Sequence, residues 1–257
     1  MIRWSRFEDG EAVRFGILEG DAIRVHDGDM FDDPRPTGEA VAVAAVRLVA
    51  PCAPTKIIAL WNNFHALAAK LGVAEPSEPL YLLKSISSVA APGATIPRPP
   101  GYAGRIAFEG ELGIVVGRPC ANADEAEAAA AIFGYTCVND LTASDITFAD
   151  ASFPQWARAK SFDGFGPFGP VIAAGLDPAG LTVRTLVDGT ERQNYPLGDM
   201  IFPPARLVSL LSRDMTLLPG DLVCCGTSLG VGAIKGADSR VEVVIDGIGT
   251  LSNRILQ

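Results

Sequence analysis

Several broad classes of protein are excluded by what the sequence has little of. Its five cysteines, at 52, 120, 137, 224 and 225, never fall in a C-x-x-C spacing. Neither a disulfide framework nor a thiolate zinc site is therefore expected, and the five read as small buried hydrophobes. No two Lys or Arg residues are adjacent, and 21 basic residues face 30 acidic ones for a net charge of -9, so nucleic acid is not an expected partner. The longest apolar run near the start, AVAVAAV at 40 to 46, is far too short to span a bilayer. The opening MIRWSRFEDGEAVRF carries charge where a secretory leader needs an apolar stretch. No membrane partner is expected, and the cytoplasm is the expected compartment. Internal repeats, heptads and low-complexity tails are also missing.

What is present is a chain of 257 residues, long enough to bury a substantial core without staples. Residues 1 to 50 read as short strands, Trp4 to Phe7, Ala12 to Leu18 and Ala22 to Val25, separated by Asp-Gly and Glu-Gly turns. They form a small N-terminal β domain. The proline-marked join VAPCAPTK then opens a second domain, 51 to 257, with the strand KIIAL and the helical FHALAAKLG. Further strands are expected near 80 to 83, 112 to 116, 132 to 138, 181 to 187, 221 to 225 and 241 to 245. Two helices are expected, near 122 to 131 and 204 to 212. The fold class is mixed and mostly β. Gly and Pro, 27 and 19 residues, gather in 92 to 104 and in GFGPFGP at 164 to 170, which read as loops unable to continue a helix or a ladder.

Chemistry-bearing residues are few. Glu109 and Glu111, in AFEGELGIVVG, stand two apart on a strand, so their side chains leave one face about 6.5 Å apart. Asp140 ends the apolar run IFGYTCVND, where a neighbouring strand would stop. Three carboxylates could converge on one cation, and an all-oxygen set suits Mg²⁺, with Mn²⁺ as the alternative, better than Zn²⁺. On spacing alone the plainer reading comes first: the wet face of an amphipathic strand and a turn cap. Of the two histidines, His65 follows the strand KIIAL, where a neutral imidazole could act as a general base or merely pack the helix start beside Asn62 and Asn63. His26, in a turn-rich edge segment, reads as a surface residue. Lys160 and Asp163, in ARAKSFDGFGPFGP, are either a charge-stabilising pair or an ordinary ion pair. In PGDLVCCGTSLGVG, the backbone around Gly226 and Thr227 either grips a carboxylate or forms a plain turn.

Taken in order, ELGIVVG, GYTCVND, the K-x-x-D of Lys160 and Asp163 with GPFGP, and PGDLVCCGTSLGVG resemble the fumarylacetoacetate hydrolase family over residues 54 to 256. Within it the chain looks like the bacterial 2-hydroxyhepta-2,4-diene-1,7-dioate isomerase and 5-oxopent-3-ene-1,2,5-tricarboxylate decarboxylase type. The resemblance implies a β-sandwich roll with a few helices, usually dimeric. It also implies metal ligands at Glu109, Glu111 and Asp140, an active-site Lys160, a cleft His65, and substrate contacts from Asp163, Gly226 and Thr227. The implied substrate is a small 2-oxo or 2,4-dioxo carboxylic acid reacting through a metal-stabilised enolate. Carbon-carbon cleavage, by hydrolysis or decarboxylation, ranks slightly above isomerisation of a 2-hydroxymuconate-type dienol, and a non-catalytic acid-binding relative is the third option. Two departures stand out. Ala68 occupies the place of a glutamate that often follows the histidine by three residues. Ser144 replaces the Arg of an N-D-x-T-x-R-D pattern, leaving Arg158 or Arg105 as candidates to hold a distal carboxylate.

Overall fold

A computed structural model describes all 257 residues. Its spine is a 12-stranded sheet running Arg35–Ala42, Ala22–Asp27, Ala12–Glu19, Ile2–Asp9, Gly166–Ala174, Ile132–Asn139, Gly110–Val116, Leu222–Cys224, Ile57–Trp61 and Leu80–Lys84, with two short strands pairing off this path. The first 50 residues thus share a sheet with the rest, because Ile2–Asp9 pairs antiparallel with Gly166–Ala174. At the far side, Ile57–Trp61 runs parallel to Leu222–Cys224.

The middle of this sheet is dry on both faces. Ile58, Leu60, Leu112, Ile114, Cys137 and Val223 join one core cluster, while their neighbours Ile57, Ala59, Val115, Val138 and Leu222 join another. A strand buried on both sides reads as a continuous apolar run, which is why KIIAL does not alternate. The first cluster is closed by a second sheet of five strands, through Val183, Val243, Ile245 and Leu251, and by Leu207, Val208 and Leu211 of the helix Pro204–Asp214. The helix Glu125–Ala131 lies against it and starts with a capping box between Asp124 and Glu127.

The structure corrects three expectations. The GFGPFGP segment is not a loop throughout: Gly166–Ala174 is a strand between Ile2–Asp9 and Ile132–Asn139. Pro170 is tolerated because the ladder to Ile132–Asn139 is irregular there, passing from Cys137↔Gly169 directly to Tyr135↔Ala173, while Pro167 stands opposite Ala90 of a short parallel strand. His26 is buried, its ring edge-on to Trp4 at 5.1 Å. The strand that carries Glu111 has no wet face, since every residue of Gly110–Val116 is buried. The helical FHALAAKLG is the helix His65–Leu71, and the expected helices are joined by two short ones, at Ser144–Thr147 and Trp156–Lys160. No helix is long and apolar enough to cross a membrane.

Candidate functional site

Antiparallel pairing of Gly110–Val116 with Ile132–Asn139 sets Gly110 opposite Asn139, and the Asp140 amide donates to Glu109 O at 2.8 Å. Glu109, at the entry to its strand, and Asp140, at the exit of the next, therefore meet at one end of the sheet. Carboxylate oxygens of Glu109, Glu111 and Asp140 all lie within 4.8 Å of one another. Glu111 and Asp140 have no exposed surface, whereas the Glu109 side chain keeps 16% and forms the open side of the group.

Two lysines reach in from other elements. Lys160, the last residue of Trp156–Lys160, donates to Asp140 Oδ2 (2.7 Å) and Thr142 Oγ1 (2.6 Å), and stands 3.0 Å from Glu109 Oε2. Thr142 in turn donates to Glu109 Oε1 at 2.7 Å. Lys84, at the end of Leu80–Lys84, donates to Asp140 Oδ1 and to Phe165 O. Burial would push Lys160 down, but the charges of Asp140, Glu109 and Glu111 hold it above the usual lysine range, so it stays an ammonium. Burial would raise Asp140, yet Lys160 and Lys84 together hold it low.

Glu111 is left out of this pairing. Its Oε2 accepts the Gly226 amide at 2.9 Å, but its Oε1 is buried without any hydrogen-bond partner. Burial, then Asp140 and Glu109, push its carboxyl well above the ordinary range. Three carboxylates against two ammoniums leave one negative charge uncompensated in a dry place, and an orphaned oxygen there is costly unless something positive meets it. Hard oxygen donors in this number fit Mg²⁺ or Mn²⁺.

The structure arranges the remaining candidates unequally. Gly226, at φ 85°, is in the left-handed region that only glycine enters freely, and this turn aims its amide at Glu111. Asn63 holds that loop by donating to Cys225 O at 2.9 Å. The Thr227 hydroxyl is occupied, donating to Gly110 O (3.1 Å) and accepting from Gln193 Nε2 (2.8 Å). Asp163 is exposed and makes no ion pair with Lys160. His65 is half-exposed at the start of its helix, with Nδ1 2.6 Å from Glu75 Oε1; it makes no hydrogen bond or ion pair with any member of the triad. Ala68 is buried, and the carboxylate beside His65 comes instead from the loop after the helix. Of the two arginine candidates, Arg105 is committed to Asp145 through its backbone N–H, Nε and Nη2. Arg158 is exposed.

Sequence reasoning missed Lys84, Glu75, Thr142, Gln193 and Tyr195. Two carried a signal: Lys84, a lone charge ending the apolar run LYLL, and Thr142, the threonine of the N-D-x-T-x-R-D pattern.

Residues 56–256 match the family described as fumarylacetoacetate (FAA) hydrolase C-terminal, and residues 2–51 match an Rv2993c-like N-terminal family. The chain belongs to the fumarylacetoacetate hydrolase family. Its fold is similar to a 5-carboxymethyl-2-hydroxymuconate delta-isomerase from Mycobacterium smegmatis, at TM-score 0.90 and 38% identity, covering 99% of each chain. A 2-hydroxyhepta-2,4-diene-1,7-dioate isomerase from Mycobacterium marinum gives TM-score 0.90 at 36% identity, covering 100% of this chain and 98% of that one. In sequence the chain is 32% identical to the oxaloacetate tautomerase YisK of Bacillus subtilis, over 93% of this chain and 84% of the relative.

Proposed function

We propose that this member of the fumarylacetoacetate hydrolase family is a divalent-cation-dependent isomerase of a small 2-oxo acid, shifting a proton through an enolate. The observation that carries the reading is the buried carboxylate triad in which Glu111 Oε1 has no partner. Glu109, Glu111 and Asp140 would hold Mg²⁺ or Mn²⁺. When bound, such a cation supplies the positive charge that makes an enolate of a 2-oxo acid accessible near neutral pH.

This chain's own residues do the rest. Lys160, fixed by Asp140 and Thr142, presents a second, preorganised positive charge to the developing oxyanion. Lys84 anchors the opposite oxygen of Asp140, so that this carboxylate cannot swing. Of the two histidines, His65 follows Asn63, the residue that pins the Gly226 loop, while His26 is buried in the N-terminal strands. Glu75 fixes His65 Nδ1 and leaves Nε2 to take up and return a proton.

The triad and its lysines serve isomerisation and hydrolysis alike, since both pass through a stabilised oxyanion and both use a proton-transferring group such as His65. The isomerase and tautomerase names of the relatives favour isomerisation. Decarboxylation is the second reading, favoured by Lys160 alone, since loss of CO₂ needs only the stabilised enolate.

The test is proton NMR in D₂O of 2-oxo acids bearing C3 hydrogens, with enzyme and Mg²⁺ or Mn²⁺ against cation alone. Deuterium entering C3 with the carbon skeleton intact is the expected result. Loss of the skeleton would move cleavage to first place, and no exchange with any acid would sink the enolate reading.

A further inference from the structure

The peptide between the two glutamate ligands is held from outside its own sheet. Gly110 donates its N–H to Gln193 Oε1 at 2.9 Å. Its carbonyl accepts from Tyr195 Oη at 2.6 Å and from Thr227 Oγ1 at 3.1 Å. Gln193 closes the ring by donating through Nε2 to Thr227 Oγ1 at 2.8 Å. Gln193 and Tyr195 stand two apart on Thr190–Pro196, an edge strand of the five-stranded sheet, so both side chains leave one face toward the 12-stranded sheet. Both are almost fully buried, at 1% and 3% exposure.

The flanking groups are fixed as well. The Glu109 N–H donates to Asn139 Oδ1 at 3.1 Å, and Glu109 O accepts from the Asp140 amide. A Cβ on Gly110 would lie 2.0 Å from Thr185 Oγ1 and 3.2 Å from Thr185 Cβ, so a side chain between the two glutamates would have to push the Thr185 side chain of the second sheet aside. Tyr195 also packs edge-on against Phe64 at 5.0 Å, next to His65.

We infer that Gln193 and Tyr195 are positioning residues for the cation site: from the opposing sheet they clamp Gly110 and thereby set the spacing of Glu109 and Glu111. Neither touches the cation or the substrate. The inference rests on the reading of the triad as a cation site. Two carboxylates left free to drift would relax apart by mutual repulsion before a cation arrives, and the clamp opposes that drift. Partners outside the ligand set commonly alter metal affinity by about 10–100-fold when removed.

The test titrates Mn²⁺ into chelator-treated, full-length protein and reads bound ion by its electron paramagnetic resonance signal. Gln193→Met should raise the apparent Kd about 10–100-fold. Tyr195→Phe, which removes one hydroxyl and keeps the ring against Phe64, should raise it by a smaller factor. Asp221→Asn, a change at a buried carboxylate outside the clamp, should lower the unfolding temperature with Mn²⁺ affinity unchanged. Clamp variants that bind Mn²⁺ as tightly as the unmodified protein would overturn the inference. So would affinity losses that merely follow unfolding temperature across all three variants. If the unmodified protein itself takes up no Mn²⁺, the cation reading fails first and takes the clamp with it.

Discussion

Glu111, on a strand of the large sheet, and Asp221, in the turn that enters a neighbouring strand, are both fully buried carboxylates, yet they are treated in opposite ways. Asp221 is saturated. Its Oδ1 accepts from Thr55 N (3.0 Å), Thr55 Oγ1 (2.6 Å) and Lys56 N (3.0 Å), and its Oδ2 accepts from Leu218 N (2.7 Å) and Lys56 Nζ. It joins the turn before Ile57–Trp61 to the turn before Leu222–Cys224, a structural staple across more than 160 residues of sequence. Glu111 has one donor, an empty oxygen and two acidic neighbours. A buried charge that is fully paired supports the fold, whereas one left short is a place where function has been set against stability.

Four changes would break or sharpen that contrast. The largest effect belongs to Glu111→Gln: catalytic efficiency should fall by at least about a hundredfold, with cation binding lost. The unfolding temperature of the cation-free protein should hold or rise, because a buried carboxyl whose charged form is disfavoured there has been replaced by a neutral amide. Asp221→Asn should do the reverse. It should lose about 3 kcal/mol of stability, on the order of 6–12 °C in unfolding temperature, with activity per folded molecule retained. Lys84→Met tests the boundary between the two kinds of site, since it removes one partner of a buried pair. It should cost about 3 kcal/mol in chemical denaturation without added cation, and less with it. Gly226→Ala should cost about 1–2 kcal/mol, because φ 85° is strained for any residue with a Cβ, and should weaken cation binding by misdirecting the amide that holds Glu111.

The smallest expected effect is at sulfur. All five cysteines are free and buried, and burial pushes Cys52 and Cys137 up to about 12. A thiol reagent at pH 8 should therefore find no rapidly reacting thiol in the native protein and all five after unfolding.

The strands and the three clustered carboxylates were legible in the sequence for different reasons. Apolar runs such as KIIAL and IFGYTCV mark strands by themselves, because a sheet dry on both faces leaves no polar alternation to blur them. Glu109, Glu111 and Asp140 read from spacing as a wet face and a turn cap, and the ordered family motifs reversed that reading. The partners were not legible. Lys84 meets Asp140 across 56 residues, and Gly110 meets Gln193 across 83, so no local pattern announces either contact. Glu75 supplies the carboxylate beside His65 from a position ten residues on, where the family pattern looks only at Ala68. GFGPFGP misled because Pro170 falls where the ladder skips, and composition alone cannot locate a skip. His26 misled because Asp27-Gly28 looked like a solvent turn while Trp4 covered the ring.

The most direct test compares unfolding temperatures of the chelator-treated protein and its Glu111→Gln variant, with and without millimolar Mg²⁺ or Mn²⁺, and then with added oxalate as a mimic of a 2-oxo acid enolate. The account predicts a rise with cation, a further rise with oxalate only when cation is present, and neither shift in the variant. Equal unfolding temperatures with and without cation in the unmodified protein would contradict it.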